Sequence, residues 1–237
     1  MLPAVRISSI NSIEDEIRGA EAFNNICLDI STIPRRTIFR VLTVLAGAAK
    51  PDTSIFVLYT YPRNYAYGPL EDPSSEINLV YDNPKLPRDS TIGALIMPGF
   101  DREYIDVTMA YMRGATGTAP EYRFMFGFPG RRYAFYERSL ESSLTLIQES
   151  GLRLYPQDEI KLTVKKIARE IHAFNNAPVF VAPLGPRICC VAAFMAVRDA
   201  RNKENFGVNL IVPGTRRYSS IRSDGIGDTL IEQIFLV

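Results

Sequence analysis

Three Arg-Arg pairs stand in this chain, Arg35-Arg36, Arg131-Arg132 and Arg216-Arg217, and a Pro or Gly lies just ahead of each. Arginine outnumbers lysine by 21 to 6. Its planar fork suits bidentate recognition of phosphate or carboxylate, where lysine offers a mobile point charge. Each pair follows a segment that reads as a buried strand and its turn. A fourth such turn, Pro183-Leu184-Gly185-Pro186-Arg187, follows the apolar run 178–182. In open α/β sheets, ligands bind beyond the carboxyl ends of the strands. The four turns therefore belong to one reading, with Ser31, Thr32, Arg35, Arg36, Gly130, Arg131, Arg132, Gly185, Arg187, Gly214, Thr215 and Arg216 as candidate ligand-binding residues. Gathered along one sheet edge, they make a concave positive rim. Helix N-termini pointing into it add free amides and dipole to the guanidinium charge. That chemistry fits a phosphorylated or nucleotide ligand. The competing reading is that these arginines are simply solvated.

A second set of residues suits different chemistry. Asp29 ends the first strand, and Asp224 and Asp228 lie in the loop SSIRSDGIGD (219–228). Carboxylates brought together this way hold a divalent ion such as Mg and activate water, so the three are the candidate catalytic residues of an enzyme. For Asp29 the alternative is capping its own turn. Gly225 and Gly227 form G-x-G, but the third glycine of a dinucleotide fingerprint is missing, and a structural turn explains the pair. His172, the only histidine, falls beside the apolar stripe of its helix and reads as a surface residue. No Walker loop, H-E-x-x-H or G-x-S-x-G is present. The tyrosines Tyr59, Tyr61, Tyr65 and Tyr67, next to Arg63, suit base stacking or a protein contact.

The elements that must position these residues alternate between strand and helix. NICLDI (25–30) is a short strand. The helix after it starts near Pro34, with Ser31 or Thr32 as cap and Ile38, Val41, Leu42 and Leu45 on one face. SIFVLYT (54–60) is the next strand, which makes a β-α-β unit with parallel strands. Residues 61–90 read as a loop or small insertion containing an extra strand at 76–82. Strands at 91–99, 122–128, 177–185 and 208–214 follow, with helices over DREYIDVTMAYMRGA, 134–149, 158–174 and RICCVAAFMAVRDA, and TLIEQIFLV as a last strand. The pattern predicts an α/β fold of Rossmann-like character in a single domain over 1–237, with a mostly parallel sheet covered by helices on both faces.

Composition limits the function classes. Net charge is +1 and charged residues make up 22%, which argues against a polybasic coat for nucleic acid or membrane. No apolar run approaches the ~18 residues needed to span a bilayer, and the N-terminal stretch is too charged and broken for a signal peptide. The expectation is a cytoplasmic protein without a membrane partner. Cys27, Cys189 and Cys190 lack zinc or disulfide spacing and read as small apolar filling in a reducing compartment.

The ligand-facing turn after the first strand and the late strand-turn-helix unit VFVAPLGPRICCVAAFMA resemble CARF and SAVED-type sensor domains. These are Rossmann-like modules of prokaryotic defence systems that bind cyclic or linear oligonucleotides. The resemblance implies an antiviral sensor in which Ser31 and Thr32, then Leu184, Gly185 and Arg187, face the ligand. The later turn departs from the pattern in lacking a Gly-Thr-Lys type of sequence. Three readings follow. The first is a binding module for a phosphate-bearing small molecule or oligonucleotide, without a required cofactor, working as a homo-oligomer or with a partner protein. The second is a metal-assisted nucleotide hydrolase or transferase using Asp29, Asp224 and Asp228. The third is a scaffold docking through the Tyr-rich segment 61–90.

Overall fold

In the computed structural model, residues 13–17, 19, 22–66, 70–81, 91–116, 119–129, 133–175, 177–204, 207–218 and 223–236 are described. After a four-residue helix α1 (Ile13–Glu16) come β1 (Asn25–Asp29), α2 (Arg35–Ala48), β2 (Ser54–Tyr65), β3 (Glu71–Leu79), β4 (Gly93–Met97), α3 (Arg102–Thr116) and β5 (Glu121–Gly127). The chain continues with α4 (Tyr133–Glu141), α5 (Leu144–Ser150), β6 (Leu152–Tyr155), α6 (Ile160–His172), β7 (Val179–Pro183), α7 (Arg187–Glu204), β8 (Val208–Tyr218) and β9 (Ser223–Ile234). The α/β class and a mostly parallel sheet are as expected, but the strands form two sheets. The larger has six strands in the order β3-β8-β7-β4-β5-β6, with only β3 antiparallel to its neighbour. The smaller has the order β1-β2-β9.

Alternation along the large sheet explains how it is covered on both faces. Ala94, Ile96, Phe124, Phe126, Phe180 and Ala182 share one core cluster with Ile105 and Met112 of α3 and Leu146 of α5. The residues between them, Leu95, Met97, Met125, Val179 and Val181, face the opposite cluster with α2, α6 and α7. That second cluster also takes in Ile55, Val57, Tyr59 and Tyr61 of β2, so it joins the small sheet to the large one. Helix α2 lies in this shared layer and buries Ile38, Phe39, Val41, Leu42 and Leu45. Spacing by threes and fours puts them on one face, and truncating Leu42 to Ala there costs about 2–5 kcal/mol.

Several sequence expectations need correction. The β1-α2-β2 unit is parallel, but it belongs to the separate small sheet, where β9 runs antiparallel to β2. Residues 61–65 and 71–75, expected in a loop or insertion, are strand: β2 runs on to Tyr65, and β3, whose 76–79 part falls within the extra strand expected at 76–82, starts at Glu71 and pairs with β8. The helix expected over 134–149 is broken at 142–143 into α4 and α5, and the short strand β6 carried too little apolar signal to be read. The loop expected at 219–228 is strand from Ser223 onward. Gly225 permits this at φ +67, and a Cβ at Gly227 would lie 2.8 Å from the Tyr61 carbonyl, where the β2–β9 register shifts. Ser31 and Thr32 do not cap α2; Pro34, with extended φ and ψ, holds the cap position itself. Cys189 and Cys190 are buried, but Cys27 is exposed, because β1 turns it to the uncovered side of the small sheet. Among the described residues, no helix is long and apolar enough to cross a membrane.

Candidate functional site

At the carboxyl ends of the parallel strands, aromatic rings enclose a cleft of about 80 Å³. Tyr59, Tyr61 and Tyr65 come from the far end of β2, Phe100 from the turn after β4, Phe135 and Tyr136 from α4, and Tyr155 from the end of β6. Period-2 alternation puts the three β2 tyrosines on one face of that strand. The rings meet edge to face: Tyr59 and Tyr61 at 4.5 Å between centroids, and Tyr65 at 4.8 Å from both Phe100 and Phe135. Polar groups tie the walls down. The Tyr61 hydroxyl donates to Asp158 Oδ1 at 2.8 Å, and the Tyr155 hydroxyl lies 2.8 Å from Cys189 Sγ. Burial, reinforced by Asp158, raises the Tyr61 phenol's pKa and keeps it a donor. Asp101, at the mouth of α3, accepts from the Leu70 amide, and burial pushes its carboxyl above the usual value.

One wall of this cleft is a lattice of two arginines. Arg35, opening α2, donates from Nη2 to the carbonyls of Leu184 (2.8 Å) and Gly185 (3.0 Å) and from Nη1 to Glu71 Oε2 (3.4 Å). Arg187, opening α7, reaches back from Nε to the Ile33 carbonyl at 2.8 Å. The turn after β1 and the turn after β7 are thus laced to each other by reciprocal arginines. Gly99 completes the junction, since a Cβ there would lie 2.4 Å from the Leu184 carbonyl oxygen. Glu71 is 4% exposed and Arg35 22%. Burial works against the Arg35 charge, but Glu71, helped by Cys190, Tyr104 and Tyr59, more than offsets it and raises the guanidinium pKa. The Thr215 hydroxyl donates to Glu71 at 3.3 Å, which leaves the Tyr104 hydroxyl as donor to Thr215 at 2.6 Å. The Nε of Arg35 is buried without a partner.

Beyond this wall lies a second cleft of about 440 Å³, lined by Arg36, Arg187, Gly214, Thr215 and Arg216 together with Glu71, Ser74 and Glu76. Arg35, Glu71 and Arg187 line both clefts. Two acids and four arginines share the second one. Glu71 is held by Arg35, and the exposed Glu76 stands 4.0 Å from Arg36. Among the described residues, neither Arg216 nor the terminal nitrogens of Arg187 have an acidic or hydrogen-bonded partner. The second cleft therefore carries net positive charge.

The structure brings Arg35, Arg36, Gly185, Arg187, Gly214, Thr215 and Arg216 to these two clefts. Gly214, Thr215 and Arg216 do not form a turn, however. They continue β8, whose pairing with β3 shifts register on either side of Thr215, and Arg216 lines the second cleft. Ser31 and Thr32 line neither cleft. Ser31 donates to Asp29 Oδ1 from its amide (2.9 Å) and hydroxyl (2.5 Å), while its oxygen accepts from the Thr60 amide. Asp29 is thereby a turn cap, the structural alternative of the sequence reading. Asp29, Asp224 and Asp228 sit on β1 and β9, strands separated by β2, and none lines either cleft. Among the described residues no group of three acidic, histidine or cysteine side chains is placed to hold a metal ion. Gly130, Arg131, Arg132 and Tyr67 lie outside the described residues. His172 is exposed, as expected.

Sequence reasoning missed Glu71, Asp101, Tyr104, Tyr155 and Gln157, all of which line the aromatic cleft. Glu71 lay in the stretch expected to be loop and Tyr155 on the strand left unread. Tyr104 falls on the expected helix, where spacing alone assigns it no role. No protein-family model matches this chain, and no curated protein sequence matches it.

Proposed function

We propose that the protein is a binding or sensor module for a phosphate-bearing nucleotide, with the base in the aromatic cleft and the phosphates in the basic cleft. The observation that carries this reading is the position of Arg187. Its side chain lines both clefts, one walled by aromatic rings that offer stacking surface and the other by arginines. At about 80 Å³ the aromatic cleft is smaller than the ~300–1,000 Å³ typical of ligand sites. It suits one flat part of a ligand whose charged remainder lies next door. Lacing of the turns after β1 and β7 supports pairing those two turns, as the CARF- and SAVED-like reading does, and with it a Rossmann-like use of the sheet edge. Arg187 and Gly185 keep their proposed roles in that scheme, whereas Ser31 and Thr32 act through the turn. A cytoplasmic sensor, as a homo-oligomer in antiviral defence, is the setting this reading proposes. The test is differential scanning fluorimetry against mono-, di- and cyclic oligonucleotides. A ligand that binds only the native state raises the melting temperature by mass action. A rise with nucleotides but not with nucleosides supports the reading, and a flat panel at millimolar ligand rejects it.

A further inference from the structure

We infer that the site takes a linear single strand of nucleic acid rather than a lone or cyclic nucleotide, an inference that rests on the reading just proposed. The basic cleft does not end at the sheet edge. It continues into a third cleft of about 550 Å³, and the two share Arg36, Asn78 and Val212. This extension runs between α2 and the β3–β8 pair, lined by Arg40, Thr43 and Ile77 among others. The three clefts are thus joined in a row, aromatic at one end and basic from the middle on. Along the row the order is Arg187 and Arg216, then Arg36, then Arg40.

Charge and spacing favour a polyanion with a repeat. Arg36 and Arg40 are four residues apart on α2, so they rise about 6 Å along its axis on the same face. That step is comparable to the distance between successive phosphates of an extended strand. Among the described residues, five arginines line these two clefts against two acids, Glu71, held by Arg35, and the exposed Glu76 near Arg36, so the described lining is positive on balance. Ile77, Leu79 and Val80 add an apolar floor, which suits the faces of bases or sugars. A cyclic ligand closes on itself and leaves this arm unused. An acidic peptide would match the charge but has no part that calls for the aromatic end.

The test is fluorescence anisotropy of the full chain with labelled oligouridylate and oligothymidylate as mono-, di-, tetra- and octanucleotides, plus a cyclic dinucleotide and polyglutamate, across a salt series. Affinity should rise with length and then level off. The slope of log affinity against log salt should steepen by about 0.7 for each added phosphate contact until the groove is filled. Comparing the RNA and DNA arms tells which sugar is preferred. Arg40→Gln, at an exposed helix position and with its melting temperature checked against wild type, should lower tetranucleotide affinity by a larger factor than mononucleotide affinity. Equal affinity and equal salt slope for mono- and tetranucleotide overturn this inference but leave the proposed nucleotide site standing. A cyclic dinucleotide or polyglutamate that outbinds every linear strand also overturns it. No binding by any nucleotide overturns both.

Discussion

The aromatic and basic clefts share a wall, and the two arginines on that wall do opposite work. Arg35 faces the interior: two carbonyls and a buried carboxylate occupy its terminal nitrogens, and its charge serves to hold turns together. Arg187 spends only Nε on the Ile33 carbonyl and leaves its two terminal nitrogens toward the clefts. Both open a helix after a strand and a proline, so in sequence they look equivalent. Whether an arginine at a strand end can meet a ligand depends on what it already holds, and here the difference is Glu71, 36 residues away from Arg35 in the chain.

The largest effect that can break this contrast is on stability. Arg35→Ala removes the guanidinium 3.4 Å from the buried Glu71 and should cost about 3–5 kcal/mol in urea unfolding. Arg187→Ala should cost much less, because it strands no buried charge. Similar losses from the two would erase the distinction. Adding Glu71→Gln to Arg35→Ala should recover part of the loss, as a double-mutant cycle for residues in contact requires.

For binding the order should reverse. Arg187→Ala should weaken nucleotide affinity by about 10- to 100-fold, the worth of a charge-assisted hydrogen bond of about 1.5–3 kcal/mol. Arg216→Ala, at a more exposed position, should cost less. Isothermal titration at fixed salt measures both.

Asp101 gives a smaller effect, on pH dependence. Burial raises its carboxyl pKa in the folded protein, so the native state holds this proton more tightly than the unfolded chain does. The group is neutral in both states below its ordinary value. As pH rises through the raised folded value, the native state loses stability relative to the unfolded one. Asp101→Asn removes that dependence, so its stability relative to wild type should increase with pH across this window. Urea midpoints at a series of pH values check the sign.

The smallest perturbation is chemical. Burial pushes the Cys189 thiol up to about 12 and that of Cys190 to about 11, while Cys27 is exposed on the small sheet. A thiol reagent at mildly alkaline pH should label Cys27 alone in the native protein and all three cysteines after unfolding. Native-state labelling of Cys189 would mean that the layer behind Tyr155 is open.

Much of the fold was legible because it follows from local periodicity. The helix at 35–48, the buried strands at 93–97 and 179–183 and the helix opened by Pro186 all appear where spacing places them. What the sequence did not reveal is which strands share a sheet. NICLD pairs only with β2, and nothing local distinguishes a strand of the small sheet from one of the large. Gly214 to Arg216 look like a turn because Pro-Gly usually makes one, yet β8 runs on through them, paired irregularly with β3 at Pro213, Thr215 and Arg217. The basic side of the site could be read from arginines near strand ends. Its aromatic side draws on β2, α4 and β6 at once, and only tertiary packing brings those rings together.

The central claim, that base and phosphate occupy adjacent clefts joined at Arg187, can be tested through tyrosine emission. The chain has no tryptophan and 12 tyrosines, and Tyr59, Tyr61, Tyr65, Tyr104, Tyr136 and Tyr155 line the aromatic cleft. Emission, corrected for absorbance, should fall as a nucleoside triphosphate binds. Inorganic triphosphate should compete for the same site without quenching. A nucleotide that binds while tyrosine emission stays unchanged, or that inorganic triphosphate cannot displace, would contradict the two-cleft account.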